Sequence, residues 1–141
     1  MRAGGFEGPL DEFRKAMDFL TTGDFKNAIH NACNSFESTI KKVLNKDRGN
    51  AKELISGLKN SGFYYGISDE LVRGIGDNVL TSLPYLRNRL GGHGQGGEVI
   101  EIPKVYAELA VNIAGSFIVF IIENYINKKQ TKAADEIVSE F

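Results

Sequence analysis

The chain has 141 residues, a single cysteine and a formal net charge of −1, with 42% hydrophobic and 25% charged residues. That is enough chain for one domain with its own core. It excludes a disulfide-stapled scaffold and a broad basic surface that coats nucleic acid by charge alone. The opening "MRAGGFEGPLDEF" has no apolar stretch of the signal-peptide kind, and a lone Cys33 fits a reducing compartment, so a cytoplasmic protein is expected.

Residues 1–9 hold three glycines and a proline and read as a flexible arm, with residues 10–141 as one helical domain. Leu10, Phe13, Met17 and Leu20 recur at helical spacing until "TTGD" breaks the run, and Asp24 is placed to cap the next helix. That second helix has the clearest pattern. Phe25, Ala28, Ile29, Ala32, Cys33, Phe36, Ile40, Val43 and Leu44 trace one apolar stripe, with Lys26, Asn27, Asn34, Lys41 and Lys42 lying off it. A short third helix follows over Ala51–Lys59, and "NSGFYYGIS" reads as a loop whose aromatics cover the core edge.

Ser68 caps a fourth helix carrying Leu71, Val72, Ile75, Val79, Leu83 and Leu86, with Pro84 late in it as a bend and Gly91-Gly92 as its end. "EVIEIP" alternates like a strand but is too short to build a sheet. Pro103 opens a fifth helix to about Asn127, and "TKAADEIVSEF" reads as a short tail helix. Its most apolar run, Leu109–Ile122, is shorter than the roughly 20 residues of a membrane span, so no membrane partner is expected. The apolar residues of this helix exceed one face. Either the surplus forms a homodimer interface, or the helix sits at the centre of the bundle. The fold class is all-α, a bundle of four or five helices.

The segment "YLRNRLGGHGQGG", Tyr85–Gly97, sets two arginines and His93 beside five glycines. Gly92–Gly97 spells G-x-G-x-x-G, but a dinucleotide site needs a strand before it and a helix opening from it, and neither is predicted. His30 and Cys33 are three apart on one helix, yet Cys33 lies on the apolar stripe, where a free thiol behaves as a small hydrophobe, so no metal is expected. Arg87 and His93 would stand about 240° apart on an unbroken helix. Breaking that helix at Gly91-Gly92 lets His93 turn back toward the arginines. No acidic residue lies between Asp77 and Glu98, so the segment is a local anion site on a chain of negative net charge. A neutral imidazole can accept a proton from a ribose 2′-hydroxyl, and a guanidinium can bind the phosphate beside it. The other reading of the same spacing is two solvated cations at a helix C-terminus and a histidine in a plain loop.

Two stretches carry a family resemblance. "TTGDFKNAIHNACNSFESTIKKVLNK" resembles the first long helix of the bacterial abortive-infection C-terminal domains, and "LPYLRNRLGGHGQGG" resembles their arginine–histidine segment. Those domains belong to the HEPN superfamily of all-α bundles, marked by an arginine, a polar residue and a histidine a few positions on. Here five residues separate Arg87 from His93. The resemblance implies a metal-independent endoribonuclease without cofactor, acting in phage defence or as a toxin. It implies a homodimer whose two motifs share one RNA cleft. Arg87 would stabilise the phosphate, His93 would act as general base or acid, Asn88 would support them by hydrogen bonding, and Arg89 would bind backbone phosphate. Glu37 on the second helix either orients this site or faces solvent. Some members keep the motif yet serve as non-catalytic dimerisation or RNA-binding modules, some with an antitoxin or a further domain as partner, and that is the alternative function.

Overall fold

A computed structural model describes residues 4–90 and 101–139 of the chain. Its elements are α1 (Glu7–Thr22), α2 (Phe25–Leu44), α3 (Ala51–Asn60), α4 (Asp69–Gly74), a π-helical turn (Ile75–Leu80), α5 (Ser82–Leu90) and α6 (Lys104–Ser139). No strand occurs among the described residues, and the protein is an all-α bundle. "EVIEIP" contributes only Glu101–Pro103 to those residues, and they are irregular.

The hub is α2, which packs against α1, α6, α3 and α5. Its apolar stripe explains why. Ala28, Ile29, Ala32, Cys33, Phe36 and Ile40 are buried, while Phe25, Val43 and Leu44 pack on the edge of the core. Each large side chain fully buried here contributes about 1.5–3 kcal/mol. Asp24 caps the helix by accepting from the Asn27 amide at 3.3 Å, and Gly23 closes α1 in the left-handed conformation at φ 86°. Ser35 and Thr39 are buried polar residues within this core. Ser35 donates to the Pro9 carbonyl at 2.6 Å and Thr39 to the Ser35 carbonyl at 2.8 Å, so neither hydroxyl is left unpaired.

The expected arm over residues 1–9 is shorter than the composition suggests. α1 starts at Glu7, and Phe6 is buried with its ring edge-on to Tyr125 at 5.8 Å. One buried aromatic and the Ser35 bond to Pro9 anchor a stretch whose glycines look flexible. The loop after α3 covers the core edge as expected: Phe63 is buried, and its carbonyl accepts from Asn124 Nδ2 at 3.0 Å.

The fourth helix is not continuous. Ser68 caps α4 by accepting from the Leu71 amide, but from Ile75 the chain widens into the π-helical turn. Pro84 therefore does not bend the middle of a helix. It lies in the first turn of α5, where its missing N–H costs least. Thr81 donates to the Asp77 carbonyl at 2.7 Å and Ser82 to the Val79 carbonyl at 2.6 Å, so two hydroxyls bond back into the turn where it meets α5. Each residue inserted by such a turn rotates the next helix by about 100°, so the turn sets which face of α5 meets α2.

The two predicted C-terminal helices are one. "INKKQTKAAD" holds no glycine or proline to break it, and α6 runs 36 residues. By length and composition it could cross a membrane, with an 18-residue window of mean hydropathy 2.0. Yet Ala107, Ala110, Val111, Ala114, Ile118, Ile121 and Ile122 are buried in the bundle, which makes it the core helix facing α2.

Candidate functional site

The site grows from a polar ridge on α2. Lys26, His30, Asn34, Glu37 and Lys41 recur at spacings of three or four, within about 80° of arc, beside the stripe that feeds the core. Because Ile29, Ala32, Cys33 and Phe36 are buried, this ridge is held on a rigid backbone.

Arg87, in the last turn of α5, reaches across onto that ridge. Its Nη2 donates to His30 Nδ1 at 3.3 Å, and its Nη1 lies 3.8 Å from Glu37 Oε2. The first is a hydrogen bond between residues 57 apart in sequence; the second is an ion pair too long for one. Arginine has no acceptor, so this bond is made by a ring whose Nδ1 is bare and whose proton sits on Nε2. The Glu37 side chain is 15% exposed and that of Arg87 30%, so the pair is half-sheltered rather than a solvated surface contact. Cys33 lies beneath them. Burial pushes its thiol up to about 12, the Arg87 guanidinium draws it back down, and Glu37 adds a further upward push. A thiol in that state is not a nucleophile at neutral pH.

The sequence-predicted residues separate into two groups. Arg87 and Glu37 come together. Asn88 is exposed, and its side chain makes no hydrogen bond to another described residue. Arg89 stands about 200° around α5 from Arg87. Its guanidinium lies over the Tyr85 ring at 5.5 Å, away from the ridge. His93 lies outside the described residues, as do Gly91 and Gly92. His30 is the residue that sequence reading missed. Treated alone it is a helix-flank residue, and beside Cys33 it is weighed only as a metal ligand. The available signal was its place seven residues before Glu37, two turns away on the same face.

Chemically, the cluster is a guanidinium held in place from two sides, with donor positions left over and an exposed imidazole beside it. Such an arrangement offers the donors that a tetrahedral anion accepts from.

A second surface differs in kind. Phe13, Met17, Leu20, Val111, Gly115 and Val119 line a groove between α1 and α6. Along α6, Val105, Leu109, Asn112, Ser116 and Val119 form an exposed stripe spaced alternately by four and three. Met17, which recurs at helical spacing with Leu10, Phe13 and Leu20, is 51% exposed in this groove.

The model of the Abi_C family, described as a HEPN-like domain, matches residues 7–125. No curated protein and no solved structure matches the chain. The matched segment holds α1 to α5 and the buried part of α6, and stops before the exposed end of α6.

Proposed function

On the premise that the chain belongs to the Abi_C family of HEPN-like domains, we propose that it is a cytosolic, metal-independent endoribonuclease of phage defence or toxin type. The observation that carries this reading is the Arg87 guanidinium, held by His30 at 3.3 Å and Glu37 at 3.8 Å at the start of the Arg87–His93 segment. In this mechanism Arg87 binds a non-bridging phosphate oxygen and offsets the charge that builds on it. His93 removes the 2′-hydroxyl proton, the 2′-oxygen attacks phosphorus, and the 5′-oxygen leaves with a proton from a general acid. The products are a 2′,3′-cyclic phosphate and a 5′-hydroxyl. Two copies paired along the exposed α6 stripe would set two such motifs against one RNA, and the Val105, Leu109 and Val119 side chains support that homodimer. Leu109→Lys should then convert the dimer to monomer by light scattering, with fold stability unchanged within about 0.5 kcal/mol.

The test is structured RNA incubated with the protein in EDTA, with product ends analysed. Wild type should leave cyclic phosphate ends, and His93→Ala should leave RNA intact while keeping the wild-type melting temperature. Cleavage that persists in His93→Ala would sink the assignment of roles.

One observation favours the alternative, a non-catalytic RNA-binding or dimerisation module of a larger defence or toxin–antitoxin system. Glu37 places a carboxylate 3.8 Å from the phosphate-binding guanidinium, where it opposes an incoming anion. RNA bound but never cut by wild type would establish that reading.

A further inference from the structure

We propose that His30 is a second substrate-binding residue of the Arg87 site, positioning the guanidinium with one ring nitrogen and donating to RNA phosphate with the other. The substrate class rests on the function proposed above; the pairing with Arg87 does not.

Three observations carry it. The Nδ1 atom of His30 takes the hydrogen bond from Arg87 Nη2, and only a neutral ring with its proton on Nε2 can do so. A ring making that bond carries its donor at Nε2. His30 is exposed, unlike Glu37, so an incoming phosphate can reach it. Its backbone is fixed by the buried Ile29, Ala32 and Cys33, so ring and guanidinium are set relative to each other before substrate arrives. A phosphate with one oxygen on the guanidinium can place another against Nε2–H, and Lys26, one turn earlier on the same ridge, adds positive charge on that side. Glu37 lies on the opposite side of Arg87, seven residues along α2. The cluster thus has an anion-accepting end at His30 and an anion-repelling end at Glu37, which gives the bound phosphate a direction.

The two duties of the ring can be separated by substitution. Asparagine reproduces an acceptor near Nδ1 but lacks the outer donor; glutamine extends a donor toward the Nε2 position but leaves Arg87 unheld. Two readouts apply: cleavage kinetics in EDTA, and affinity for an uncleavable 2′-O-methyl oligonucleotide by fluorescence anisotropy. His30→Ala should weaken oligonucleotide binding about tenfold, the effect of one charge-assisted hydrogen bond. It should lower kcat/KM by more than that, because Arg87 also loses its orientation. His30→Asn should restore kcat with KM still raised, and His30→Gln should restore binding with kcat still low. In the Arg87→Ala background, His30→Ala should cost clearly less than it does alone, since the two act on one phosphate.

His30→Ala with wild-type binding and kinetics would overturn the inference, and so would losses that add fully in the double variant. Those results leave the proposed function standing. Wild-type protein that binds the oligonucleotide yet cuts nothing removes the ribonuclease reading, and the binding arm still decides the role of His30. Wild-type protein that does neither overturns both.

Discussion

The bundle has two seams that ought to be alike, each a short helix laid against a long one, and they are opposites in chemistry. Between α2 and α5 the exposed edge is charged, with Arg87 bridging His30 and Glu37. Between α1 and α6 it is apolar, with Phe13, Met17, Val111 and Val119 facing an open groove. A helix pair needs neither. The first seam keeps a half-sheltered ion pair, which contributes little to stability for its desolvation cost. The second leaves apolar side chains in water, which stabilises nothing in a lone copy. Under the function proposed above each departure has a use: an anion for the polar seam, a second copy's surface for the apolar one.

Substitutions should break the two seams in different ways. The largest effect belongs to Arg87→Ala. It should lower RNA cleavage about 10²–10³-fold, the scale of losing one electrostatic transition-state contact, while thermal melts show a folded bundle. Gly115→Leu should do the reverse. A Cβ at Gly115 would meet the tip of the Phe13 ring at 2.9 Å, so a larger side chain must displace that ring from its packing between α1 and α6, costing about 1–3 kcal/mol in denaturant titration. Oligonucleotide binding by the folded variant should persist, because His30, Glu37 and Arg87 lie on α2 and α5 rather than beside Gly115. Glu37→Gln sharpens the polar seam: RNA should bind more tightly without the carboxylate, while kcat falls about tenfold as Arg87 loses one of its two anchors. Equal loss of binding and turnover would mean that Glu37 is only a structural partner.

The fold was legible wherever information is local. The apolar stripe of α2, the caps at Asp24 and Ser68, and the Pro103 start of α6 all rest on residues within a turn or two. The π-helical turn was not, because its cost is met by the hydroxyls of Thr81 and Ser82 and by what α5 gains against α2, which no propensity records. Arg87 was legible from its segment and Glu37 from its helix. His30 was not, since its significance is a contact between two elements 57 residues apart. The expected arm misled because one buried phenylalanine outweighs three glycines.

The smallest effect tests how tightly the polar seam is sealed beneath Arg87. Cys33 is raised from an ordinary 9.0 to about 12, chiefly by burial. The folded protein therefore keeps this proton after the unfolded chain has released it. The contribution is whole below about pH 9 and is lost as pH rises through 9 toward 12, by at most about 1.4 kcal/mol per pH unit. Cys33→Ala should flatten the decline in stability between pH 9 and 11; an unchanged slope would mean that the thiol is open to solvent.

The comparison of the seams is tested most directly by titrating the labelled protein with the uncleavable oligonucleotide and following amide and arginine side-chain resonances. Shifts should concentrate on Lys26–Lys41 and on Arg87, leaving Met17 and Val119 unmoved. Shifts centred on the α1–α6 groove, with the Arg87 resonance unchanged, would contradict the account.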